Sequence, residues 1–195
     1  MGGAKGPYNP PSGGESSTGA ARRTALWPWW PKPRNVSFDA VPDPRTRFES
    51  PATLEEALPL GPELDRYAAD ATADFRDEPP GPGVGERLLE RHFASPETVV
   101  VVARSGEGAL LGYCVTVPFE DPLVGDAVPL IVALYVEPRE RHLGLATSLV
   151  AQVSAVLAAR GIHALSARAG HTDDALISMG ERWGFVRSWE LLVRE

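Results

Sequence analysis

A single cysteine, Cys114, stands in 195 residues, which excludes an internal disulfide. Its setting, L-L-G-Y-C-V-T-V, reads as a packed strand position rather than a nucleophile, and a lone thiol fits a reducing compartment. No apolar stretch approaches the ~18 to 20 residues that a membrane-spanning helix needs. The first residues lack the apolar core of a secretory leader, and Arg22-Arg23 is followed by W-P-W-W-P-K-P instead of the apolar helix of a twin-arginine signal. A cytoplasmic protein with no membrane partner is expected. Positive charge is also short, with 19 Lys and Arg against 26 Asp and Glu, a net charge of -7. The deficit is uneven: residues 1–50 carry seven basic against four acidic side chains, leaving twelve against twenty-two in the remainder. An acidic body repels nucleic acid, which is not expected as a partner, and mildly attracts cationic substrates such as amines.

What is present divides the chain. Residues 1–20 are rich in Gly, Pro and Ser and carry too few apolar side chains to offset the entropy of ordering. Residues 27–33 differ, because Trp27, Trp29 and Trp30 offer apolar area while the prolines favour an extended backbone. They dock either on the domain's own surface or on a partner; base stacking beside Arg22, Arg23, Lys32 and Arg34 is a third reading. Residues 1–33 are therefore expected to be a disordered or docking arm, and 34–195 one domain long enough to bury a full core. The sequence selects no oligomeric state, a homodimer being one outcome.

Periodicity predicts the elements of that domain. A strand is expected over 35–41 and a helix over 62–76, from Leu64, Tyr67, Ala68, Ala71 and Phe75. After the break E-P-P-G-P-G, a short helix is expected over 86–93, then a hairpin of strands 97–103 and 110–117 around Ser105-Gly106-Glu107-Gly108. The apolar run 129–136 is the next strand. Leu145, Leu149, Val153 and Leu157 give a helix over 144–160 one buried face, and Gly161 stops it. Strands are expected over 162–167 and 185–193, flanking a helix that Thr172 or Asp173 caps and that runs to Trp183. This pattern is α/β (α+β), a mixed sheet with helices packed on it.

The chemistry gathers where the strand 129–136 meets its helix. Arg141 to Ala146 read R-H-L-G-L-A, and the first turn of a helix leaves N–H groups unpartnered at the positive end of the peptide dipoles. A pyrophosphate fits that end. Gly144 permits close approach of a ligand, Ala146 is small, and Arg141 adds a cation.

With Val136-Glu137-Pro138 before this turn and Gly184-Phe185 after the next helix, the chain resembles the GNAT superfamily of acyl-CoA-dependent N-acyltransferases, most clearly from about 97 to 195. The resemblance implies a GNAT-like, mostly antiparallel sheet and transfer of an acetyl group from acetyl-CoA to an amine of a small molecule or peptide, by direct attack in a ternary complex. It implies that the backbone of Leu134, Tyr135 and Val136 pairs with the pantetheine arm, that a strand N–H serves the thioester carbonyl, and that Arg141, His142, Leu143, Gly144, Leu145, Ala146 and Thr147 hold the pyrophosphate. Asp173 falls where many members place an asparagine against the cofactor arm.

Other positions depart from the family. Gly180 stands where many members carry the tyrosine that protonates the leaving thiolate, and Leu130 and Arg168 stand where a glutamate base is often found. Replacement bases are Glu120 and Asp121 after the hairpin, His171, and Glu137; Glu120 and His171 are taken as the catalytic candidates, His171 because its ordinary pKa of ~6.5 suits a base near neutrality. Arg168 meets either a substrate carboxylate or an internal partner such as Asp173 or Asp174. The vacant acid and base positions keep a second reading open, a CoA-binding protein without transferase activity, and the Trp-rich arm a third, an interaction module.

Overall fold

A computed structural model describes residues 44–73, 78–120, 127–169 and 173–187. The arm expected over 1–33, the strand expected over 35–41, Asp121 and His171 lie outside these residues. Five strands form one sheet in the order β1 (Arg47–Glu49), β2 (Val99–Arg104), β3 (Leu110–Glu120), β4 (Ala127–Val136) and β5 (Ser166–Ala167). Neighbours run antiparallel except β4 and β5, which are parallel. Around the sheet lie α1 (Leu54–Ala57), α2 (Gly61–Thr72), α3 (Val84–His92), α4 (Leu145–Ala159) and α5 (Asp174–Arg182).

The run V-V-V-V-A in β2 explains how the layers assemble. Alternate residues of a strand face opposite sides, so a run apolar at every position belongs to a strand covered twice. Val99, Val101 and Ala103 pack with Leu145, Leu149, Val150, Val153 and Leu157 of α4 and with Trp183. Val100 and Val102 face the other way, onto Leu60, Leu64, Leu89 and Tyr113 beneath α1 to α3. Burial of each such side chain contributes ~1.5 to 3 kcal/mol, so both helical layers are anchored through one strand. Cys114 is wholly buried in the α4 layer, where burial pushes its thiol up to about 12. It packs there as a small apolar side chain.

The break at 78–83 lets α3 pass very close to α2. A Cβ on Gly85 would stand 2.3 Å from the Gly61 carbonyl oxygen and 2.6 Å from Leu64 Cβ, so only glycine fits the crossing. Asp65 of α2 then accepts the N–H groups of Gly85 and Gly83, each at 2.7 Å. Those bonds hold its carboxyl below the usual range and satisfy the start of α3.

Some expected elements are shorter or absent. The strand over 162–167 reduces to Ser166–Ala167, because Gly161 at φ 77° and an Ile162 N–H bond to Leu157 O at 2.9 Å occupy the chain with ending α4. The helix expected over 62–76 begins at Gly61 and ends at Thr72, whose hydroxyl donates back to Ala68 O at 2.8 Å. Residues 185–187 are not a strand, and the rest of the strand expected over 185–193 lies outside the described residues. β1 and α1 were not anticipated from periodicity.

Candidate active site

The site is built on the free edge of β4. That strand pairs with β3 along its length but with β5 only at Leu130↔Ser166 and Ile131↔Ala167. Val132 is an extra residue between the pairs Thr116↔Ile131 and Val115↔Ala133, a bulge that bends the strand. Past it, the edge of β4 away from β3 has no strand partner among the described residues. Such an edge accepts an extended, amide-bearing ligand as an added strand. Leu134, Tyr135 and Val136 all lie there.

Val136 leads through the turn Pro138–Glu140 into the anion cradle. His142, at φ 66°, is the one non-glycine residue with positive φ among those described, and Gly144 follows at φ 84°. A left-handed residue running into helical ones turns successive N–H groups to one side, the form of an anion-binding concavity. The first helical bond of α4 joins Ser148 N–H to Gly144 O at 3.0 Å, leaving the amides of Leu145, Ala146 and Thr147 without helical partners. No side chain caps α4, whereas Thr53, Asp65 and Asp173 serve α1, α3 and α5. Arg141 donates from Nε to Val136 O at 3.2 Å, which holds the guanidinium over the strand end. Trp183 donates from Nε1 to Thr147 Oγ1 at 3.0 Å and ties α5 to the first turn of α4. The cradle fits a pyrophosphate through unspent amides, a positive helix end and a nearby cation.

The remaining expected site residues are spread out. Asp173 Oδ1 accepts the Leu176 N–H at 2.9 Å, so one carboxylate oxygen is committed to capping α5. Glu120 stands opposite Ala127, seven positions along β4 from Leu134. At ~3.3 Å per residue that is roughly 23 Å of strand, with Leu130 lying between the two positions. Arg168 is exposed, with its Cζ 5.4 Å from the centroid of the Phe119 ring, a cation–π contact. Glu137 directly follows Val136, and its Oε2 accepts the Tyr135 hydroxyl at 2.9 Å. That bond, with burial second, pushes the Tyr135 phenol up.

Sequence reasoning missed an aromatic wall on the α2 side of β4. Tyr113 stacks on Tyr135 with centroids 5.3 Å apart, and Tyr67 meets Tyr113 edge-on at 6.4 Å. Only the helical spacing of Tyr67 was visible in the sequence; the pairing Tyr113↔Tyr135 comes from strand register.

Gly180 leaves room where the family's tyrosine would stand. A Cβ there would lie 3.8 Å from Phe185 Cβ, an ordinary contact. Gly180→Ala is therefore expected to stabilise the fold by ~1 kcal/mol through helix propensity, read as a rise in melting temperature.

The family profile described as Acetyltransferase (GNAT) matches residues 64–185. Solved structures share the fold. A ribosomal-protein-alanine N-acetyltransferase from Brucella melitensis biovar Abortus 2308 superposes with TM-score 0.55 at 20% identity, over 77% of this chain and 98% of that one. The aminoglycoside acetyltransferase meta-AAC0020 from an uncultured soil metagenomic sample, in complex with trehalose, gives 0.58 at 18% identity, over 78% and 96%. AAC(6')-Iy in complex with the bisubstrate analog CoA-S-monomethyl-acetylneamine gives 0.55 at 14% identity, over 77% and 97%. No curated protein matches the sequence closely.

Proposed function

We propose that this chain, which belongs to the acetyltransferase (GNAT) family, transfers an acetyl group from acetyl-CoA to the amine of a small molecule or peptide by direct attack in a ternary complex. The observation that carries this reading is the meeting, at one place, of a strand edge with no strand partner among the described residues and a helix start with no side-chain cap. The open edge of β4 at 134–136 suits the amides of a pantetheine arm, and the uncapped start of α4 at 145–147 suits a pyrophosphate. The similar structures are named as N-acetyltransferases of ribosomal-protein alanine and of aminoglycosides, so both are described as acetylating nitrogen. Binding both reactants side by side supplies the entropic advantage of proximity, and a strand N–H beside the thioester supplies an oxyanion donor.

The test is calorimetric titration with acetyl-CoA, followed by thiol release with a panel of small amines, amino acids and peptide N-termini. Binding and turnover support the reading. Binding without turnover across the panel favours a non-catalytic CoA-binding protein, for which Gly180, Leu130 and Arg168 at the acid and base positions are the specific argument. Among the described residues no helix is long and apolar enough to cross a membrane.

Arg168 extends the proposal to the acceptor. Arg168 stands over the Phe119 ring at 5.4 Å, and its guanidinium is a planar fork of N–H donors that suits a carboxylate. Charged hydrogen bonds contribute ~1.5 to 3 kcal/mol each, so Arg168→Ala is expected to lower kcat/KM for carboxylate-bearing amines by about 10- to 100-fold with acetyl-CoA affinity nearly unchanged. A preference for uncharged amines in the parent protein would reject this role.

A further inference from the structure

Thr147, the third residue of α4, carries two donors that the helix does not use. Its N–H makes no bond to Leu143 O, because Gly144 at φ 84° turns that carbonyl out of the helical line. Its hydroxyl cannot use Gly144 O, since that oxygen already accepts the N–H and the hydroxyl of Ser148, at 3.0 and 3.2 Å. A helical threonine divides between two rotamers because its hydroxyl can bond a carbonyl one turn back. With no such carbonyl to bond, the rotamer of Thr147 is set from α5: the Trp183 indole donates from Nε1 to Thr147 Oγ1 at 3.0 Å. Trp183 is itself buried among Leu145, Leu149 and Val153, so the indole has a fixed seat. The Thr147 oxygen is an acceptor in this contact, and among the described residues its own proton has no acceptor.

We infer that Trp183 is a positioning residue for the cofactor, its indole N–H fixing the Thr147 hydroxyl so that the free proton serves a pyrophosphate oxygen beside the open amides of α4. The inference rests on the acetyltransferase reading and deepens it. An oxygen bonded to the Thr147 N–H comes within reach of the hydroxyl of the same residue. Indole N–H, hydroxyl and phosphate oxygen then form a chain in which each bond polarises the next, and its last member, ending on an anion, is about twice as strong as a bond between neutral groups. A rotamer fixed before binding also spares the cofactor the entropy of ordering it.

The test compares the full-length chain with Trp183→Phe, which keeps an aromatic ring in the core and loses the N–H, with Thr147→Val, which keeps the shape and loses the hydroxyl, and with the two combined. Affinities for acetyl-CoA and for 3′-phospho-ADP, which has the pyrophosphate without the pantetheine arm, are measured by calorimetry. Each single variant is expected to bind both ligands about 10-fold more weakly, and the double variant no more weakly than either, because both changes remove one interaction. KM for acetyl-CoA should rise with kcat unchanged, and Thr147→Ser, which keeps the hydroxyl, should bind as the parent does. Thr147→Val also moves one indole N–H resonance of the free chain, which marks Trp183 without replacing it. In the parent that resonance should move downfield when acetyl-CoA binds, as the hydroxyl becomes donor to an anion. Parent-like affinity in Trp183→Phe, additive losses in the double variant, or a marked resonance that acetyl-CoA leaves in place overturns the role of Trp183 alone. A parent chain that binds no acetyl-CoA overturns the acetyltransferase reading as well.

Discussion

Gly144→Glu is expected to lower acetyl-CoA affinity by more than about 10²-fold, measured by calorimetry. Gly144 sits at φ 84°, immediately before Leu145, and its position brings the open amides of residues 145–147 to one point. A glutamate there costs ~1 to 2 kcal/mol of backbone strain. Its carboxylate would also settle on the same amides, as acidic groups do at helix starts, and so compete with the phosphates it repels. Losing two charge-assisted hydrogen bonds of ~1.5 to 3 kcal/mol each accounts for the size of the effect. The two contributions separate with Gly144→Ala, which carries the strain without the charge and should bind more weakly than the parent but far better than the glutamate variant. Unchanged affinity in Gly144→Glu would remove the 141–147 turn from the binding site.

The strand, turn and α4 that make up this cradle were legible because each has a local cause. The apolar run of β4, the glycine at a left-handed position and the spacing of Leu145, Leu149, Val153 and Leu157 all act within a few residues. The aromatic wall was not, since Tyr67, Tyr113 and Tyr135 meet only through helix packing and strand register. The place of Glu120 in the sheet is likewise set by register. In sequence it follows the hairpin and precedes the motif strand, but antiparallel pairing carries it to the far end of β4. The family resemblance was visible from about residue 97, whereas the profile match begins at Leu64 in α2, the helix that carries Tyr67. Its acidic and apolar positions identify a helix and say nothing of which strand residue it covers. β1, with only Arg47, Phe48 and Glu49, is too short to show a period at all.

Gly112 joins the stability of the fold to the shape of the site, and its replacement is expected to damage both. It pairs with Val136 at the end of β4, and a Cβ on it would stand 2.6 Å from Tyr135 O, 3.2 Å from Leu149 Cδ1 and 3.4 Å from Val136 Cα. The first of these neighbours is backbone and cannot rotate away. Gly112→Ala must therefore push β4 outward, while Leu149, wholly buried in α4, has no free space to yield. Overpacking of this kind costs about 3 kcal/mol, which for a domain of this size lowers the melting temperature by roughly 6 to 12 °C in a calorimetric scan. The displaced segment is the one that presents residues 134–136 to the ligand, so acetyl-CoA affinity should fall in the same variant even at temperatures where it stays folded. A Gly112→Ala protein that melts with the parent and binds acetyl-CoA equally well would mean that the end of β4 has slack, and that the tight contact with β3 does not set the geometry of the cleft.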